Sequence, residues 1–171
     1  MRLRWLPFEL HPEAPQEGIP FETYFGDRAE RVRGRLGEIA AEAGLEMRQR
    51  DVLINSRRAL SAAEFAREQG KFDQMHQALF KAHWEQTGRL EDIDDLVRIG
   101  TEVGLDPVAL RLAIEDGRYE SVLDGYRIEA EAVGVRGIPA HIFGGRFFVV
   151  GAQPYEVFIQ VLQRLRTEAD S

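Results

Sequence analysis

The sequence predicts an α/β protein in which a long helical block is set between two short β parts. Three observations support this prediction: an alternating N-terminal segment, a series of helices that end at glycines, and an aromatic hairpin near the C-terminus. With 44% hydrophobic and 30% charged side chains, the 171 residues can bury one core, or one core with a helical annex. We therefore expect one compact globular unit.

The N-terminal segment has the pattern of a strand. Residues 2–10 alternate between polar and apolar side chains, with Pro7 near the end of the run and His11 just after it. Three prolines and a glycine then fall within residues 12–20, which indicates a loop that leads away from this first strand.

From about Asp27 to Val133 the pattern is helical. Glycine accepts the left-handed conformation that ends many helices, and six glycines stand where a helix should stop: Gly44, Gly70, Gly88, Gly104, Gly117 and Gly134. Helix starts are predicted after Asn55-Ser56, after Asp92 and at Asp106-Pro107, because these residue types cap or begin helices. One predicted helix places five apolar or aromatic residues on a single face: Met75, Leu79, Phe80, His83 and Trp84.

After Gly134 the period changes to that of strands. Residues 140–143 and 146–150 are aromatic and β-branched runs separated by Gly144-Gly145, which predicts a hairpin with a two-glycine turn. Gln153-Pro154 then begins a last helix, whose apolar stripe consists of Val157, Phe158, Val161, Leu162 and Leu165.

Charge and hydropathy exclude several classes of partner. Lys and Arg total 22 against 29 Asp and Glu, and the basic residues are interleaved with acidic ones, so we expect no nucleic-acid partner. No apolar run approaches the roughly 20 residues of a membrane span, and acidic residues follow Trp5 before a secretory signal could develop. We expect no membrane association and a cytoplasmic location.

The most specific local signal is the segment from Gly134 to Pro139, between a helix and the first hairpin strand. A proline there cannot donate to the ladder and is often cis, which would turn the backbone of Ile138 outward as an unpaired edge. Such an edge can pair with an extended peptide or a glutathione-like ligand. Alternatively Pro139 only begins a strand after a loop, and the spacing does not separate the two interpretations.

Other reactive groups do not form a recognisable site. The four histidines lie on different elements or two helical turns apart, with no third ligand, so we expect no metal and no cofactor. No serine has a base at a fixed spacing, so a hydrolase triad is unsupported.

Four blocks of sequence resemble the DsbA-like thioredoxin family, and its FrnE-like cytoplasmic branch in particular. They are Trp5 to Pro12, Asn55 to Lys71, Met75 to Trp84 and Gly134 to Leu165, and they follow the family order over nearly the whole chain. The resemblance implies a thioredoxin-like fold with an inserted helical block. It divides the chain into residues 1–20 (first strand and loop), 21–117 (inserted helices) and 118–171 (helix, hairpin and helix).

The resemblance also implies a functional assignment for three residues. Pro139 matches the cis-proline that faces the active-site cysteines of the family, and Ile138 matches the residue whose backbone pairs with substrate. Asn55 lies in a segment that is near the ligand in the related 2-hydroxychromene-2-carboxylate isomerases and kappa-class glutathione transferases; its alternative role, which we favour, is a helix N-cap. The implied partner is a peptide or protein thiol, or glutathione.

The chain departs from the family in having no cysteine. Family members begin with a strand and a helix that carries Cys-x-x-Cys, and this strand–helix unit is absent here. Because the thiolate is the nucleophile of disulfide exchange, we expect no such activity from these residues. Three hypotheses follow: an oxidoreductase truncated before its redox unit, a glutathione-dependent isomerase or transferase, and a non-catalytic peptide-binding or dimerisation module, the last as a possible homodimer.

Overall fold

The structure is a computed structural model that describes residues 3–45 and 47–169. Its elements are, in chain order, β1 (Ile19–Pro20), α1 (Phe21–Phe25), a 3-10 turn (Gly26–Arg28), α2 (Ala29–Glu42), β2 (Val52–Leu53), α3 (Arg57–Glu68), α4 (Phe72–Trp84), α5 (Ile93–Glu102), α6 (Pro107–Glu115), α7 (Glu120–Ala132), β3 (Ala140–Phe143), β4 (Phe147–Val150) and α8 (Tyr155–Ala169). The predicted α/β class is confirmed.

The chain divides into two compact units, and the boundary between them falls inside α7. Residues 1–10 and 125–171 form the hairpin unit, and residues 11–124 form the helical unit. The predicted domain limits at residues 20 and 117 stay a prediction.

The helical unit is built around one apolar core. Short apolar side chains of α3 pack against α4, α5 and α6, and the largest fully buried residues are Met75, Leu96, Ile99 and Leu110. Leu79 is also buried, but Phe80 is 54% exposed, so the predicted apolar face of α4 is wrong at that residue. The reason is that a helix in this core buries only the side toward α3 and α5.

Helix starts and stops follow the local signals with one exception. The Asp92 side chain accepts from the N–H groups of Asp94 and Asp95, and the Asp106 side chain accepts from Ala109 N–H. Five of the six predicted stop glycines have positive φ, from 65° to 85°. The exception is Gly88, because α4 ends earlier and Gln86 takes the left-handed conformation instead, with φ 57°.

The hairpin unit contains the predicted hairpin. β3 and β4 pair antiparallel in the register Ala140↔Val150 to Phe143↔Phe147. Gly144 and Gly145 both have positive φ, as a tight two-residue turn requires.

The predicted first strand over residues 2–10 is wrong for the residues described, since residues 3–10 form no strand; Arg2 lies outside the described residues. A strand needs a neighbour for its backbone groups, and no described strand pairs with this segment. A small ladder does occur elsewhere: Ile19 pairs with Leu53 and Pro20 with Val52, where the sequence predicted loop and helix.

Candidate functional site

The segment before β3 presents an unpaired backbone. The Ile138–Pro139 peptide bond is cis, and Ile138 is 51% exposed. The carbonyl of Pro139 accepts from Gly151 N–H at 2.7 Å, which attaches it to the residue after β4. Within the described part of the chain, no hydrogen bond engages the N–H or the carbonyl of Ile138. Both groups are therefore available to a ligand.

β3 itself has one free edge. It pairs with β4 on one side, and among residues 3–45 and 47–169 no strand pairs with its other side. One face of the hairpin packs on α8, where the ring of Phe158 lies 4.9 Å from that of His141 and 6.1 Å from that of Phe143. The opposite face leaves Ile142, Phe148 and Val150 exposed. Hence the hairpin unit has both an unpaired strand edge and an uncovered apolar face.

Asn55 lies in the helical unit, whereas Ile138 and Pro139 lie in the hairpin unit. Its Oδ1 accepts from Arg57 N–H at 3.0 Å, and its Nδ2 donates to the carbonyl of Ala14 at 2.6 Å. The side chain therefore caps the start of α3, as favoured from the sequence, and attaches the 11–18 loop to it. Its ligand role stays a prediction.

A cluster of three side chains was missed by the sequence analysis. Tyr24 Oη donates to Glu13 Oε1 at 2.5 Å, which uses its single hydroxyl hydrogen. His11 Nδ1 lies 2.8 Å from Tyr24 Oη, whose hydrogen is already used, so His11 must be the donor of that bond. The hydrogen bond from Tyr24 lowers the pKa of Glu13, and the same bond raises the pKa of Tyr24. The cluster joins the 11–13 segment to α1.

In the described ranges, no group of three or more His, Asp or Glu side chains is placed to hold a metal ion. No helix in the same ranges is long and apolar enough to cross a bilayer.

Comparison with known proteins fits this geometry. The profile of the DSBA-like thioredoxin domain matches residues 1–163. The chain belongs to the DsbA-like thioredoxin family. It is similar in structure to the probable DsbA oxidoreductase SCO1869 of Streptomyces coelicolor, with a TM-score of 0.83 and 26% identity, over 94% of this chain and 74% of that one.

A second relative is the uncharacterized protein YwbO of Bacillus subtilis strain 168. It is 26% identical over 165 residues, which are 92% of this chain and 79% of that protein. The DsbA-like family and thioredoxin-like fold are thus established, while the 171 residues contain no cysteine to carry thiol chemistry.

Proposed function

We propose that this chain is the substrate-binding scaffold of a DsbA-like thiol–disulfide oxidoreductase of the FrnE-like branch. In this proposal it binds an extended peptide at Ile138 and performs no disulfide exchange with its own residues. The supporting observation is the half-exposed Ile138, whose N–H and carbonyl have no partner in the described chain.

The binding step follows from the backbone alone. A residue with a free N–H and a free carbonyl pointing to solvent can exchange two hydrogen bonds with one residue of an antiparallel peptide. Main-chain hydrogen bonds do not depend on the side chains of the peptide, so such a site can bind peptides of many sequences. This suits a protein whose substrates have only a cysteine sulfur in common. Pro139, fixed by the bond from Gly151, would hold the end of the bound peptide beside β3.

The chemical step needs a thiolate that these residues do not have. Attack on a disulfide sulfur requires an ionised thiol, and no other side chain substitutes for it in exchange. Among the described residues, β3 has a strand partner on one side only, and we propose that a further strand pairs with its other edge. A helix bearing Cys-x-x-Cys would follow that strand, both supplied by polypeptide outside these 171 residues.

This part of the proposal is tested on the gene. An open frame before Met1 that encodes an apolar strand and Cys-x-x-Cys would support it. A stop codon in that frame, with no partner polypeptide of that kind, would overturn it.

The binding proposal is tested by NMR titration of the chain with an extended peptide whose cysteine is S-methylated. We expect the Ile138 amide resonance to shift, and the Ile138→Ala variant, which keeps the backbone, to bind within a few-fold. Ile138→Pro removes the N–H and should abolish peptide binding, which is followed in this variant at the amide of the neighbouring Gly137. Binding of oxidised or reduced glutathione in place of the peptide would contradict the proposal and support a glutathione-dependent isomerase or transferase.

A second candidate function, non-catalytic dimerisation, is favoured by the free edge of β3 and the exposed Ile142, Phe148 and Val150. Two copies related by a two-fold axis could pair their β3 strands and continue the sheet. Sedimentation velocity of the 171-residue chain tests this, because Ile142→Lys should convert a dimer to a monomer. A wild-type monomer at high micromolar concentration would eliminate this candidate.

A further inference from the structure

Residues 47–51, here called the 47–51 segment, are hydrogen-bonded to the C-terminal end of α4 in the helical unit. Arg48 N–H donates to the carbonyl of Trp84 at 3.1 Å, and Arg50 Nε donates to the carbonyl of His83 at 3.4 Å. Arg50 also donates to the carbonyl of Gly88. From the other side, Gln86 Nε2 donates to the carbonyls of Arg48 and Gln49, at 3.2 and 2.9 Å.

The same segment is hydrogen-bonded to α1 and α2. Gln49 Nε2 donates to the carbonyl of Arg33 at 2.8 Å, and Arg33 in turn donates to the carbonyl of Arg50 at 3.0 Å. The carbonyl of Asp51 accepts from Phe21 N–H at 2.8 Å. The 47–51 segment is therefore a junction between α1 and α2 on one side and the end of α4 on the other.

His83 lies in the last turn of α4, where its carbonyl accepts from Arg50 of the 47–51 segment. Its ring meets the ring of Trp84 edge to face at 4.5 Å, and its Nδ1 is buried with no hydrogen-bond partner in the described chain. Arg50 is the charged side chain that acts on it, and both burial and Arg50 disfavour the imidazolium. Arg98 of α5 lies next to Gly88 and donates to the carbonyl of Thr87.

Arg98 has carboxylate partners, whereas Arg50 has none in the described part of the chain. The carboxylates of Asp95 and Glu102 bind Arg98, at 3.1 and 3.0 Å, and Arg50 is bound by carbonyls only. In the imidazolium form of His83, Nδ1–H would thus be a buried donor without an acceptor, close to the positive charge of Arg50.

We infer that the 47–51 segment is an acid-sensitive attachment: when His83 takes a proton, the segment leaves the end of α4 and gives the buried Nδ1 access to water. The released state would keep α3 to α6 folded, because their core does not involve Arg48 or Arg50. Acid would then loosen α1 and α2 without unfolding the whole unit.

The sign and size of the effect follow from linkage. Burial, followed by Arg50, lowers the pKa of His83 from 6.5 to about 4. The closed form, in which the 47–51 segment binds the end of α4, is therefore favoured at pH values above the ordinary histidine pKa of 6.5. It is progressively lost as the pH falls below that value. If opening restores the unperturbed value, the open fraction should rise roughly twentyfold between pH 7 and pH 5.

The test is hydrogen exchange of the Arg48 amide by NMR in the full chain, corrected for the intrinsic rate at each pH. We expect its protection factor to fall roughly twentyfold from pH 7 to pH 5, with a weaker urea dependence than that of Ala66 in the core. In His83→Phe, which keeps an aromatic ring against Trp84, the change should be less than about twofold. His76→Phe on the same helix is the matched control and should behave as wild type.

Three outcomes would overturn the inference. The first is a fall of less than about threefold in the Arg48 protection factor of the wild type, and the second is an equal fall in His83→Phe. The third is a urea dependence of Arg48 exchange equal to that of Ala66, which would indicate global unfolding. Should His83→Phe fail to fold, Arg50→Met replaces it. That variant should lower the protection at every pH and keep most of the pH dependence, because burial is the larger cause; loss of the pH dependence there would also contradict the inference.

Discussion

Gly100, in the last turn of α5, provides the sharpest test of the packing in the helical unit. A Cβ at this position would lie 2.3 Å from Leu110 Cδ2 and 3.4 Å from Leu105 Cδ1. Carbon atoms in contact normally lie about 3.5 to 4.0 Å apart, and Leu110 is 0% exposed, so its side chain can move away only by repacking the core. The absence of a side chain at Gly100 is what lets α5 approach α6.

Two opposing effects decide the outcome of Gly100→Ala. Alanine is favoured over glycine inside a helix by about 0.5 to 1 kcal/mol. Overpacking a filled core costs about 1 to 3 kcal/mol, and an overlap of more than 1 Å belongs at the upper end. We therefore expect Gly100→Ala to lower the free energy of unfolding by about 2 kcal/mol.

Urea denaturation followed by circular dichroism measures this change, with Gly34→Ala as the matched control. Gly34 lies inside α2 in the same unit, and nothing lies within 4 Å of its added Cβ, so alanine there should stabilise by about 0.5 to 1 kcal/mol. Leu110→Ala in the Gly100→Ala background should cost less than it does alone, since it also relieves the overlap. If Gly100→Ala stabilises as Gly34→Ala does, the close approach of α5 and α6 is refuted.

Three further predictions concern side-chain hydrogen bonds. Asn55→Ala should destabilise by about 1 to 2 kcal/mol in the same urea assay, because it removes both the acceptor for Arg57 N–H and the donor to the carbonyl of Ala14. Tyr119→Phe, which loses the 2.7 Å bond to Glu68, should cost about 1 to 2 kcal/mol, and an unchanged midpoint would show that this bond contributes nothing. The pKa of Glu13 is lowered, so its carboxylate stabilises the fold at pH values above the ordinary carboxyl pKa, and this stabilisation is lost as the pH falls below that pKa. Tyr24→Phe removes the hydrogen bond that lowers the pKa, so the free energy of unfolding should depend less on pH in the acid range.

One prediction concerns activity. The 171-residue chain should not accelerate the reduction of insulin by dithiothreitol, since it holds no thiol. Precipitation of insulin chains faster than the reductant alone would mean that the account of the chemistry is wrong.

The elements that the sequence predicted correctly are those set by a few consecutive residues. Asp92 and Asp106 determine helix starts because their side chains reach N–H groups two or three residues ahead. Gly144-Gly145 determines the hairpin because few other residues adopt two successive left-handed conformations. The family resemblance rested on such local blocks, and the profile match over residues 1–163 confirms it.

The sequence by itself therefore determined the class, the family, most helix limits, the hairpin and the absence of a thiol. Only the tertiary structure decided that residues 3–10 form no strand, that Ile19–Pro20 pairs with Val52–Leu53, and that Arg50 binds the carbonyl of His83. Strand pairing and side-chain burial depend on which other segment of the chain packs against a given segment. The residue pattern of one segment indicates its preferred secondary structure but does not identify the segment that packs against it.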